Sequence, residues 1–222
     1  MNDGGKMEEA PTCRCPLSSV CRRGQGPFQE HRRHPQQILY LQGEDAERVY
    51  LLRKGSVSLH RMGREDHALG LTRELRRGGS FLGLEALIDG EYKDSAKAET
   101  PVQLCSARIE DFRTWLGPEP SASVRVIELL LRAEEHERVQ HGLPDLSARQ
   151  RVCHWLLQRR EQAGSHSVSR KVIAELLGMR PETLSRVLRE LADAGLVEVS
   201  RRHIMIVDPE GLHREMPAWA ED

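Results

Sequence analysis

The stretch RKVIAELLGMRPETLSRVLRELADAGLVEV, Arg170–Val199, decides the fold. Ser169 offers a side-chain oxygen to the unpaired amides at the start of a helix that stops at Gly178. A second helix opens on Pro181, whose fixed φ suits the first helical position, and closes at Gly195. Two short helices joined through Gly178 and Met179 predict a helix-turn-helix. Behind it, LVEV (196–199) and HIMIVD (203–208) predict a two-stranded wing. Ahead of it, SARQRVCHWLLQRREQ (147–162) predicts an amphipathic helix capped by Ser147, with Val152, Trp155 and Leu156 on one face.

The charge distribution agrees with a surface that meets DNA. From Ser147 to Val207 eleven basic residues stand against six acidic ones, about +5 within a chain of net charge -1. The overall balance excludes a protein that coats nucleic acid indiscriminately, while the local excess suits one face. In a helix-turn-helix the first residues of the second helix meet base edges in the major groove. Glu182, Ser185 and Arg186 share one helical face there. Arginine matches guanine O6 and N7, and glutamate accepts from the cytosine amino group. An intrahelical Glu182–Arg186 pair is the alternative for Glu182. Arg170, Lys171, Thr183, Arg201 and Arg202 are expected on phosphates, where they set affinity and salt dependence.

Toward the N-terminus, SVRVIELLLRAEEHERVQ (123–140) has a helical period, with Val124, Ile127, Leu131 and Glu134 on one stripe and Leu130 beside it. Such a helix packs either on its own domain or on a second copy; next to a DNA reader the homodimer is expected. Between about Pro35 and Thr114, the runs QQILYLQ, ERVYLLRKG, SVSLHRM, ALGLTREL, AKAET and VQLCSA alternate with glycine turns and predict an antiparallel sandwich or barrel. The chain therefore reads as α+β in four parts: a flexible cysteine arm (1–30), a sensor domain (31–118), a dimerisation helix (119–145) and a DNA-binding domain (146–222).

Hydrophobic residues at 38% and charged residues at 30% describe a soluble globular chain. No apolar run approaches the roughly 18 residues of a membrane span. No secretory leader is visible either, so a cytoplasmic location is expected. In a reducing compartment Cys13, Cys15 and Cys21, crowded together, and the distant Cys105 are read as metal ligands or redox sensors before disulfides. Cys153 reads as a small buried thiol. His31, His34, His60 and His67 read as scattered surface residues, and the absence of any H-x-H pair argues against a β-barrel metalloenzyme.

In this order and spacing, LLRKGSVSLHR (51–61), GGSFLGLEALIDGE (78–91) and RPETLSRVLRELADAGLVEV (180–199) resemble the CRP/FNR superfamily of bacterial transcription regulators. The resemblance covers nearly all of the chain after about residue 35. It implies a jelly-roll-like β-roll of the cyclic-nucleotide-binding type, a long dimerisation helix and a winged helix-turn-helix. It also implies a homodimer on palindromic double-stranded DNA, with RNA polymerase as a partner and no enzyme activity. Cyclic-nucleotide-binding members carry G-E-L and an arginine before Ser or Thr; this chain has Gly83-Leu84-Glu85 and Asp94-Ser95. An aspartate would repel a phosphate, so cAMP is not expected. The E-x-x-S-R pattern at Glu182, Ser185 and Arg186 is similar to the FNR branch, which implies TTGAT-like half-sites. That branch also implies a [4Fe-4S] cluster on Cys13, Cys15, Cys21 and Cys105. Cys15 and Cys21 keep the C-x5-C spacing of the branch, whereas Cys13 stands one residue from Cys15 where the branch has two. Zinc on the same thiolates, thiol–disulfide sensing and no cofactor stay open, as do oxygen and nitric oxide as the signal.

Overall fold

Residues 26–61 and 71–118 place alternate apolar side chains of short strands into one core. The computed structural model describes residues 16–17, 20, 26–61, 71–118, 120–141, 146–160, 168–200 and 203–217. One antiparallel sheet joins β1 (Gln29–Arg33), β8 (Val102–Arg108), β3 (Arg48–Lys54) and β6 (Phe81–Leu82), in that order. The facing sheet joins β2 (Ile38–Tyr40), β7 (Ser95–Ala98), β4 (Ser56–Arg61) and β5 (Leu71–Arg77), again antiparallel. Val49, Leu51, Leu52, Val57, Leu104 and Phe112 are fully buried in their shared core. Each such side chain contributes about 2 kcal/mol by leaving water. A short helix α1 (Ala86–Asp89) connects β6 to β7, and α2 (Ile109–Leu116) follows β8 and buries Ile109 and Phe112.

Helix α3 (Pro120–His141) starts from this body, with Ala122, Val126 and Leu129 turned inward. A second core forms among α4 (Ala148–Arg160), α5 (Arg170–Leu176), α6 (Pro181–Asp193), the hairpin β9 (Val197–Val199) with β10 (Ile204–Ile206), and α7 (Pro209–Arg214). Leu75 of β5 belongs to this second core, so the two bodies meet through β5 and α5. Among the described residues no helix is long and apolar enough to cross a membrane.

The structure departs from expectation at four places. Residues 29 and 30 are not part of a free arm: β1 begins at Gln29 and pairs with β8 from Gln29↔Ser106 to Arg33↔Val102. QEHRR has no apolar alternation, because an edge strand can carry charge on both faces and still hydrogen-bond through its backbone. Pro16, Leu17 and Val20 of the arm also dock on the β-roll, Leu17 with only 1% exposure. His60 is not a surface histidine: it is buried at 4% between β5 and β7. Finally, α2 and α7 were too short to show a helical period.

Candidate nucleic-acid interface and signal-input region

The DNA reader is built by its caps. Ser169 accepts a hydrogen bond from the Val172 amide, and Ser147 accepts from the Gln150 amide while Gln150 bonds back to the Ser147 amide at 3.0 Å. Helices α5 and α6 both end on a glycine in the left-handed region, Gly178 at φ 60° and Gly195 at φ 73°. Beyond each glycine the next amide reaches back, Met179 to the Ala174 carbonyl (2.9 Å) and Leu196 to the Leu191 carbonyl (3.0 Å). These two closures fix α6 against α4 and α5 while Leu184, Val187, Leu188 and Leu191 fill the core.

The opposite face of α6 is open. Glu182, Arg186 and Arg189 are exposed and Ser185 is half-buried; with Pro181 they line one shallow concavity of about 400 Å³. Arg186 pairs with Glu190 at 3.2 Å, one turn onward, and not with Glu182. This exposed i,i+4 pair is weak, so Arg186 can leave it for a base edge at little cost. Pro181 starts α6 and Arg180 provides no side-chain cap, which leaves first-turn amides, with Thr183 among the first residues, open to an anion. Arg170 donates to the Ser200 carbonyl at 2.9 Å and ties α5 to the wing; Lys171 is 81% exposed with Glu175 3.9 Å away. Arg201 and Arg202 lie outside the described residues.

Arg149 of α4 holds the C-terminal end of the reader by two bonds of 2.7 Å to Glu215. These bonds keep the Glu215 carboxyl below the usual carboxylate range. A depressed acid stabilises the fold above its unfolded pKa and loses that contribution as pH falls. Arg149→Met should therefore cost about 1 kcal/mol at neutral pH, given the partial exposure of both side chains. Urea midpoints of variant and parent should converge as pH drops through the carboxylate range. Cys153 is fully buried on the same helix, and burial pushes its thiol up to about 11. Iodoacetamide at mildly alkaline pH should label Cys153 only after denaturation, as mass spectrometry of the peptide would show.

Helix α3 carries an apolar stripe that none of the described residues covers. Val124, Ile127, Leu130 and Leu131 are 56%, 54%, 42% and 59% exposed. The Glu134 side chain lies outside the described residues. Arg125, on the inner side, donates from Nε to the Pro16 carbonyl at 2.9 Å and from Nη1 to Glu128 at 2.5 Å. The arm segment between Cys15 and Cys21 is thus bonded to the helix that carries the stripe. Cys105 sits in β8, buried in the β-roll core and paired in register with Glu30 and Leu51. Cys13, Cys15 and Cys21 lie outside the described residues. Among the described residues no group of three or more His, Cys, Asp or Glu is placed to hold a metal.

The nucleotide-loop positions are spoken for. Asp94 accepts two hydrogen bonds from Arg61, at 2.9 and 3.3 Å, and the Ser95 hydroxyl accepts from the Gln42 amide. The Tyr92 ring lies so close to Gly83 that a Cβ there would come within 2.8 Å of it. Tyr92 stacks on Tyr40 at 3.9 Å between ring centres, and Tyr50 follows at 5.6 Å. Burial pushes the Tyr40 and Tyr92 hydroxyls above the usual tyrosine range.

Comparison with known proteins agrees with this two-part reading. The cyclic nucleotide-binding domain family matches residues 30–117 and the Crp-like helix-turn-helix domain family matches residues 150–215. The chain is 29% identical to the global nitrogen regulator of Synechococcus elongatus, over 86% of this chain and 91% of that protein. It is 26% identical to a CRP-like cAMP-activated global transcriptional regulator of Mycobacterium tuberculosis, over 79% of this chain and 83% of that protein. In fold it is similar to FixK2 from Bradyrhizobium japonicum (TM-score 0.69, 23% identity, 86% of this chain and 98% of that one). It is equally similar to a CRP-family transcriptional regulator from Thermus thermophilus (TM-score 0.70, 23% identity, 83% and 95%). A β-roll of the cyclic nucleotide-binding type followed by a Crp-like helix-turn-helix makes the chain a member of the CRP/FNR family, a non-enzymatic DNA-binding transcription regulator.

Proposed function

We propose that the chain is an FNR-like regulator whose homodimer reads an inverted repeat of TTGAT-like half-sites and whose input is the redox state of its cysteines. Glu182, Ser185 and Arg186 read bases; Arg170, Lys171, Thr183, Arg201 and Arg202 hold phosphates; Val124, Ile127, Leu131 and Glu134 form the dimer seam. The observation that supports the switch is on α3: the helix bonds the arm at Pro16 through Arg125 and presents, on another face, an apolar stripe exposed among the described residues. Ordering the arm and pairing two α3 helices therefore act on one element.

Four thiolates suit an iron–sulfur cluster, and tetrahedral zinc accepts the same donors. Cys13, Cys15, Cys21 and Cys105 would hold a [4Fe-4S] group through their thiolates, and that group would supply iron and sulfide that react with oxygen and nitric oxide. What this chain's residues do is clear of that group. Leu17 anchors the arm in the β-roll core, Arg125 fixes its backbone to α3, and the buried position of Cys105 keeps water from its sulfur. The matched domain family favours a small-molecule effector as a second reading. Asp94 and the Tyr92 ring over Gly83 argue against cAMP in that role. Anaerobic purification should give brown protein with about four iron and four sulfide per chain, and Cys105→Ala should be colourless. Colourless wild type with stoichiometric zinc would overturn the cluster assignment.

A further inference from the structure

A buried polar chain crosses from the sensor into the DNA reader. Lys97 Nζ lies 3.1 Å from Glu99 Oε1, which accepts from Ser58 Oγ at 2.7 Å. Ser58 Oγ is 2.6 Å from His60 Nε2, and His60 Nδ1 is 3.3 Å from Thr72 Oγ1. Thr72 then donates from its hydroxyl (2.5 Å) and its amide (3.2 Å) to Glu175 Oε2 on α5. Ser58, His60, Thr72 and Glu99 are all buried. None of these residues reads DNA or belongs to the cysteine arm.

With Glu99 and Glu175 both ionised, counting protons gives the state of the ring. Each hydroxyl has one proton to give. Ser58 gives its proton to Glu99, so its oxygen must accept from Nε2–H. Thr72 gives its proton to Glu175, so its oxygen must accept from Nδ1–H. Both ring nitrogens then carry hydrogen, and the histidine is an imidazolium between two carboxylates. Among the described residues the charges around it are Glu99 and Lys97 at β7, Glu175 and Lys171 on α5, the Arg61–Asp94 pair beside it, and the Glu74–Arg76 pair on β5. If the ring loses one proton to water at Nδ1, that nitrogen becomes an acceptor and competes with Glu175 for the Thr72 proton.

We infer that His60 is a positioning residue for DNA reading: in its doubly protonated form it directs the Thr72 hydroxyl onto Glu175 and so holds α5, the first helix of the helix-turn-helix, on the sensor. The contact is tight at low pH and loosens as pH rises through the range where histidine titrates, about pH 5 to 8. This adds a proton input to the reader that is independent of the cysteines and of any effector. It needs α5 to be part of the reader but not the FNR-like assignment.

The test is a pH titration of the 15N-histidine-labelled full chain, with His60→Gln to assign the ring signals. Two protonated nitrogens should be seen on His60 at mildly acidic pH. The Nδ1 proton should persist to higher pH in wild type than in Glu175→Gln, by about one pH unit, because the variant removes one of the two flanking charges. Thr72→Val should lower that pH similarly, which keeps the test open should Glu175→Gln misfold. In hydrogen exchange corrected for intrinsic pH dependence, residues 71–77 and 170–176 should open as that proton leaves, with no such step in His60→Gln. A His60 ring protonated at one nitrogen only in mildly acidic solution, or the same loss pH in wild type and Glu175→Gln, would overturn the inference. Neither outcome bears on the iron content or the half-sites.

Discussion

Ile127→Glu is expected to convert the dimer into a monomer. In a two-fold interface the same residue is lost from both copies, and burying each isoleucine contributes about 2 kcal/mol. Two such losses amount to about 4 kcal/mol, close to a thousandfold in the dimer dissociation constant. Two unpaired carboxylates in the seam add to it. The half-exposed side chain makes little contribution to the fold of the single chain, so thermal stability at high dilution should barely change. Sedimentation velocity at micromolar concentration checks the first statement, and circular dichroism at nanomolar concentration checks the second. Val126→Glu offers the contrast: Val126 is buried on the inner face, so its replacement should unfold the junction with the β-roll instead.

Arg186→Ala should remove about 2 kcal/mol per half-site, or 4 kcal/mol for a dimer, and with it discrimination at one base of each half-site. Among the described residues Arg186 bonds only Glu190, in an exposed pair, so its loss should leave the fold intact. Lys171→Ala should behave differently. Its loss should weaken binding equally on specific and scrambled duplexes and lower the salt slope by about 0.9 per lost phosphate contact. Fluorescence anisotropy on the two duplexes at several salt concentrations separates the two behaviours. Equal losses for both variants on both duplexes would place α6 outside the groove.

The reader could be seen in the chain because its signals are local. Ser169, Gly178, Pro181 and Gly195 act within a few residues of themselves, and each sits where its cap or turn requires. The stripe on α3 was equally plain as a pattern, but a period alone does not say which face is covered. Only the burial of Val126 and Leu129 against the exposure of Ile127 and Leu131 separates the two faces. β1 was hidden because its stability comes from β8, about 70 residues away in sequence. The same holds for His60, whose partners Ser58, Thr72 and, beyond them, Glu175 converge only after β4, β5 and α5 meet. The docking of the arm's Leu17 into the β-roll core had no local signal either, since one leucine in CPLSSVC makes no period.

The central claim is that the cysteine-bearing arm governs a DNA-binding dimer. Its most direct measurement is the affinity of one protein preparation for a duplex with two TTGAT-like half-sites, taken anaerobically and again after exposure to air. Tight anaerobic binding by a dimer is expected, with at least a tenfold loss in air and a matching shift to monomer. Equal affinity and equal mass in both conditions would contradict it.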